Sequence, residues 1–188
     1  MSATAVDLKA LMLRAPRLTL AVAESMTCGN VQSAVGAVSG ASKFFLGGIT
    51  TYTLDEKVRH LGVERAAKKV NGVAVDIAEQ MARGVCRLFG SDLGVATTGY
   101  AEPSNDAGIA EPFAWWAIAH RQGKRFTLRS GRIECIDAKR VEAQTIVAQA
   151  ALAELVEYLR ELRGSVGRTV PVSRSTGRGS AGRLALPN

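Results

Sequence analysis

The sequence has few aromatic residues, 5% of its 188 positions, only two histidines and three cysteines. So few rings exclude a core built on large aromatics. The apolar fraction of 47% points instead to Val, Ala, Leu and Ile packing, as in compact α/β proteins. Cys28, Cys86 and Cys135 are odd in number and widely spaced, and no C-x-x-C occurs. Reduced thiols are expected rather than metal ligands, since a zinc site wants closer ligand pairs. No apolar run approaches the roughly 20 residues that span a bilayer. The opening MSATAVDLKALMLRAPRLTL mixes acid and base into its apolar pattern and lacks the basic, apolar, small-residue order of a secretory leader. A cytoplasmic protein with no membrane span is the expectation.

Acidic residues are absent from Gly164 onward, where Arg168, Arg174, Arg178 and Arg183 lie among Gly, Ser and Pro. Without those four charges the net charge falls from +7 to +3 on residues 1–163. Such a stretch buries too little apolar surface to offset its ordering entropy, so 164–188 is expected to be a disordered tail. Sparse arginines without stacking aromatics argue against nucleic acid as a partner.

Residues 1–163 are long enough for one domain with a full core. Leu8, Leu11 and Met12 lie at helical spacing before Pro16. RLTLAVAE has the length of a buried strand, and NVQSAVGAVS sets Val31, Val35 and Val38 on one helical face. KFFLGGITTYT reads as a strand with a bulge or close approach at Gly47-Gly48. DEKVRHLGV is a short helix ending near Gly62. GVAVDIAEQMARGVCRLFG is a clear helix, with Val73, Ile77, Met81, Val85 and Leu88 inward and Gly90 as its stop. SDLGVATTG is a buried strand. FAWWAIAHR and KRFTLRSGR flank Gln122-Gly123 as a hairpin. A long helix begins at Asp137, its expected cap. Strands alternating with helices predict an α/β fold, with three α/β/α layers around a mixed, mostly parallel sheet.

Chemistry concentrates at the strand ends. In LAVAESMTCGN an apolar run breaks into hydroxyl and thiol residues where strand gives way to helix. Ser25, Tyr52 and the Thr98-Gly99 pair each follow a strand. Parallel neighbours would bring them to one sheet edge, where sites of open α/β sheets form. Each has a plainer reading. Ser25 and Thr27 also suit a helix cap, Lys57 a solvated helix face, and Tyr52 an ordinary strand end. A serine and a lysine nonetheless make a nucleophile–base pair if the amine's pKa is lowered. The helix start after Gly29 would offer backbone N–H groups to an oxyanion or anion. Cys28 there is a secondary thiol candidate.

AESMTCG, followed by GASKFFLGGITTYTLDEKVRHLGV, VAVDIAEQMARGV and SDLGVATTG, resembles the CinA C-terminal domain family over about residues 5–163. The family's best-known activity is nicotinamide mononucleotide deamidation. The resemblance implies a three-layer α/β/α fold and hydrolysis of a small-molecule carboxamide to acid and ammonia, with no metal or organic cofactor. It implies Ser25 as nucleophile, Lys57 as base and Tyr52 as their partner. Thr27, Cys28, Gly29, Ser42, Thr98, Gly99 and Glu102 fall at the implied substrate-binding positions. Family analogy also allows a homodimer.

Departures cluster where the substrate phosphate would be read. Met26 and Cys28 replace a cysteine and a glycine, and Asn71 replaces a serine. Glu102 and Ala114 stand at glycine positions. Ala138 and Glu142 stand at arginine positions. Glycine lets backbone N–H groups approach a phosphate and arginine clamps it, so these changes disfavour a 5′-phosphate. The alternative is a degenerate relative that binds without turnover, its phosphate recognition altered or lost.

Overall fold

The computed structural model describes residues 3–66 and 71–165. The chain runs α1 (Ala3–Leu13), β1 (Leu20–Glu24), α2 (Asn30–Gly36), β2 (Phe45–Thr50), α3 (Leu54–Leu61), α4 (Val75–Phe89), β3 (Leu93–Tyr100), β4 (Phe113–Gln122), β5 (Arg125–Glu134) and α5 (Arg140–Ser165). The five strands form one sheet in the order β2-β1-β3-β4-β5. β1 pairs in parallel with β2 and β3, and β4 runs antiparallel to both β3 and β5. The expected mixed α/β sheet is therefore present.

Alternation along the strands divides the core. Leu20, Val22, Leu93, Val95, Trp116 and Ile118 face Leu8 and Met12 of α1, Val31 and Val35 of α2, and Leu155 and Leu159 of α5. The other face carries Ala21, Ala23, Ala96, Ala117 and Ala119 beneath Ile77, Met81 and Val85 of α4 and Leu61 of α3. These small side chains let α4 sit close to the sheet. A Cβ at Gly94 would lie 2.2 Å from the Ala82 carbonyl oxygen, so only glycine fits there. Adjacent Trp116 and Trp115 point to opposite faces, as strand geometry demands.

The β1–β2 register slips between Leu20 and Ala21, giving the bulge expected near Gly47-Gly48. A Cβ at Gly48 would run into the Gln32 side chain at 2.5 Å.

Four local expectations need correction. The hairpin turn is Gly123-Lys124, one residue later than expected, because Gln122 still pairs with Arg125. Gly123 has φ 65°, which suits the first central position of a primed turn. Asp137 does not cap α5. It sits in the preceding turn at φ 59°, its N–H donating to Glu111 Oε2 at 3.0 Å. α5 runs on to Ser165, past the expected end at 163. Leu88 on α4 is 49% exposed, while Ala78, Ala82 and Cys86 complete the inward face. The arginine-bearing tail from 166 lies outside the described residues.

No helix among the described residues is long and apolar enough to cross a membrane.

Candidate active site

The order β2-β1-β3 means that the chain leaves β1 in one direction for β2 and later returns to its other side for β3. The carboxyl end of β1 is thus a switch point, where open α/β sheets form their ligand crevices. Ser25 stands there, its N–H bonded to the Thr97 carbonyl at 3.1 Å. A cleft of about 470 Å³ opens at this edge and includes Ser25, Tyr52, Lys57, Gly99, Glu102 and Arg140 in its wall. That volume lies within the range of small-molecule sites.

Glu24 builds the corner. Its side chain is fully buried at the end of β1. Oε2 accepts from Thr27 Oγ1 at 2.6 Å, Gly29 N–H at 2.9 Å and Val31 N–H at 3.1 Å, and Oε1 accepts from Gln32 N–H at 2.8 Å. The N-terminus of α2 therefore already holds an anion supplied by the chain itself. The expectation that these N–H groups face substrate is corrected: they hold the loop that carries Ser25. Thr27 is buried between Glu24 and Thr97 Oγ1, 2.7 Å away. Gly29 is needed for its φ of 99°.

Lys57 lies on the inward face of α3, four residues before Leu61. Thr53 caps this helix by accepting from Glu56 N–H at 3.4 Å. Lys57 is 2% exposed, and burial lowers its pKa from 10.5 to about 8. Nζ donates to Thr98 Oγ1 at 3.0 Å and to the Gly72 carbonyl at 3.1 Å, rather than to Ser25. No carboxylate pairs with it among the described residues. A Cβ at Gly72 would come within 3.3 Å of Nζ, so glycine there makes room for the amine.

Tyr52 is half exposed at the mouth of the cleft. Arg140, in the first turn of α5, donates to Tyr52 Oη at 2.9 Å and to Glu102 Oε1 at 2.8 Å. Asn71 Nδ2 donates to Tyr100 Oη at 3.3 Å across the same opening.

The structure thus brings Ser25, Tyr52, Lys57, Gly99 and Glu102 to one cleft. Thr98 stands behind Lys57, fully buried, and touches the site through it. Gly99 is glycine because a Cβ would meet the Phe113 carbonyl oxygen at 2.2 Å. Thr27, Gly29 and Cys28 shape the corner without lining the cleft, and Cys28 is exposed at φ 52°. Ser42 is not brought to the site. It lies in the turn that leads into Phe45, at the amino end of β2 and the opposite edge of the sheet. Cys86 and Cys135 are buried in the core, which raises both thiol pKa values, that of Cys86 to about 11.

Sequence reasoning missed Glu24 and Arg140. A signal existed for each. An acid at the end of an otherwise apolar strand, just before a helix, is a buried anion that needs donors. An arginine in the first turn of a long helix opposes the macrodipole and suggests another engagement.

Comparisons with known proteins agree with this architecture. The family model of the CinA C-terminal domain matches residues 3–159. A CinA-like protein of Chlorobium limicola is 36% identical over 159 residues, covering 82% of this chain and 37% of its own length. A CinA-like protein of Syntrophus aciditrophicus is 38% identical over 151 residues, 80% of this chain and 35% of its own. The chain thus spans little more than a third of these curated relatives. Among solved structures, competence damage-inducible protein A (ComA) of Klebsiella pneumoniae superposes with a TM-score of 0.74 at 27% identity, over 84% of this chain and 95% of that one. A competence-damaged protein (CinA) superfamily protein of Escherichia coli gives 0.72 at 25% identity, over 84% and 93%.

Proposed function

The chain belongs to the CinA C-terminal domain family, and on that footing we propose that it is an amidohydrolase, cleaving a small carboxamide of the nicotinamide type to acid and ammonia. The observation behind this reading is Lys57: a buried amine with no carboxylate partner among the described residues, its pKa near 8, in one cleft with Ser25. Burying a lone cation costs stability, and a cleft shared with the Ser25 hydroxyl gives it a use.

Neutral Lys57 takes the Ser25 proton as Oγ attacks the amide carbon. The resulting ammonium returns that proton to the departing nitrogen, and ammonia leaves. Lys57, neutral again, takes a proton from the water that attacks the acyl-serine and passes it to Ser25 Oγ as that bond breaks, which releases the acid and restores both side chains. Tyr52 accepts from Arg140, so its own O–H is free to donate to substrate at the mouth.

The rival reading, binding without turnover, draws on the missing Ser25–Lys57 hydrogen bond. Ammonia release from nicotinamide-type amides by the wild-type chain and by Ser25→Ala separates the two. Release by wild type and its loss in the variant are expected. No release by either, across the panel, leaves binding alone.

A further inference from the structure

Two side chains of opposite charge meet where the cleft opens. Among the described residues lining it, the cations are Lys57 and Arg140 and the carboxylate is Glu102. Lys57 is committed deep in the cleft to Thr98 and Gly72. Arg140 is therefore the cation left to meet an incoming anion, and it is already engaged. One guanidinium nitrogen holds Glu102 at 2.8 Å and the other holds Tyr52 Oη at 2.9 Å. A phosphate arriving at Arg140 would have to displace the carboxylate and then remain beside it.

Resting on the amidohydrolase reading, we propose that Glu102 fills the anion position of this cleft and biases the chain toward carboxamides that carry no phosphate. The fit is best for a neutral or cationic ring, since Glu102 favours positive charge and Tyr52 and Tyr100 present aromatic surface at the same opening. Glu102 and Arg140 are both partly exposed, with side chains 59% and 44% accessible. Their ion pair is consequently weak in itself. Selection comes instead from the carboxylate's persistence beside Arg140, which repels a second anion whether or not the pair is closed. A like charge a few ångströms away at a wet surface disfavours binding by about tenfold.

The test uses the full chain and three probes that differ in charge: nicotinamide, nicotinamide riboside and nicotinamide mononucleotide. Dissociation constants are measured by calorimetry, on wild type where turnover is slow and otherwise on Ser25→Ala. The riboside is expected to bind about tenfold or more tightly than the mononucleotide. Glu102→Gln, an exposed and nearly isosteric change, should shrink that ratio by about tenfold. Arg140→Ala should widen it, because Glu102 then repels phosphate with no cation beside it. The proposal is overturned if wild type binds the mononucleotide as tightly as the riboside, or if Glu102→Gln leaves the ratio unchanged. Charge selection without ammonia release defeats the hydrolase reading alone. Ammonia release without charge selection defeats this proposal alone. Failure of all three probes to bind defeats both.

Discussion

Lys57 Nζ lies 3.0 Å from the Thr98 hydroxyl, and that hydroxyl donates to the same Gly72 carbonyl that Lys57 reaches at 3.1 Å. The three groups close a ring. A neutral amine has two N–H bonds and one lone pair. Both N–H bonds are used here, so the lone pair is what remains for a proton. An ammonium would have a third N–H with no acceptor among these partners. The two oxygens fix the nitrogen in place, and burial is what lowers its pKa.

Rate should follow the neutral fraction of Lys57. With a pKa near 8, about one tenth of the amine is neutral at pH 7. Ammonia release should climb nearly tenfold from pH 6 to pH 7 and flatten above about pH 8. A flat profile between pH 6 and 8.5 would remove Lys57 as the base.

Thr98→Val keeps the shape but removes the acceptor. The remaining carbonyl cannot fix the amine alone, and an ammonium loses a stabilising oxygen. The acid limb of the pH–rate profile should move to lower pH while kcat falls by about tenfold to a hundredfold. An unmoved limb with only reduced protein stability would mean that Thr98 is mere packing.

Lys57→Met should abolish ammonia release and stabilise the fold. The folded pKa is depressed from 10.5 to about 8, which corresponds to about 3 kcal/mol of cost below pH 8. Between about pH 8 and 10.5 the unfolded chain binds the extra proton, so the cost shrinks as pH rises. Thr98 already donates to the Gly72 carbonyl, so the methionine orphans neither oxygen. Urea midpoints at pH 7 and pH 10 should therefore show a clear gain at the first and little at the second. Destabilisation at both would contradict the reading of an unpaired buried cation.

Glu24→Gln replaces an acceptor-only carboxylate with a group that must turn a donor toward N–H groups. Four bonds converge on Glu24, so the loss should be about 2–4 kcal/mol, read from urea unfolding. Activity of the folded fraction should drop as well, because the loop holding Ser25 is tied to that carboxylate. A neutral effect would show that the corner is set by the strand alone.

Gly84→Ala tests the seat of α3. Alanine favours a helix over glycine by about 1 kcal/mol, yet its Cβ would sit 2.2 Å from the Leu61 carbonyl oxygen on α3. Net destabilisation of about 1–3 kcal/mol is expected, with reduced ammonia release because Lys57 rides on the displaced helix. Unchanged urea stability would mean that the two helices separate freely.

The sequence by itself determined the element order, the layers and the edge at which the cleft opens. Those rest on local signals: periods of two and 3.6, glycine stops at Gly62 and Gly90, and the rule that parallel neighbours share their carboxyl ends. Ser25, Tyr52 and Gly99 could be placed together for that reason alone. Tertiary structure decided which charges are buried and which are paired. By spacing, Lys57 reads as a solvated lysine. It is buried, with its pKa lowered, only because α3 turns inward onto Thr98 and Gly72, residues 41 and 15 positions away. Glu24 reads as a strand end until α2 brings its N–H groups over it. Ser42 follows the family motif yet lies at the other edge, since its turn precedes β2 rather than following it. Arg140 meets Glu102 across 38 positions that no local pattern connects. Burial and pairing set a group's chemistry, and both depend on which distant segments approach it.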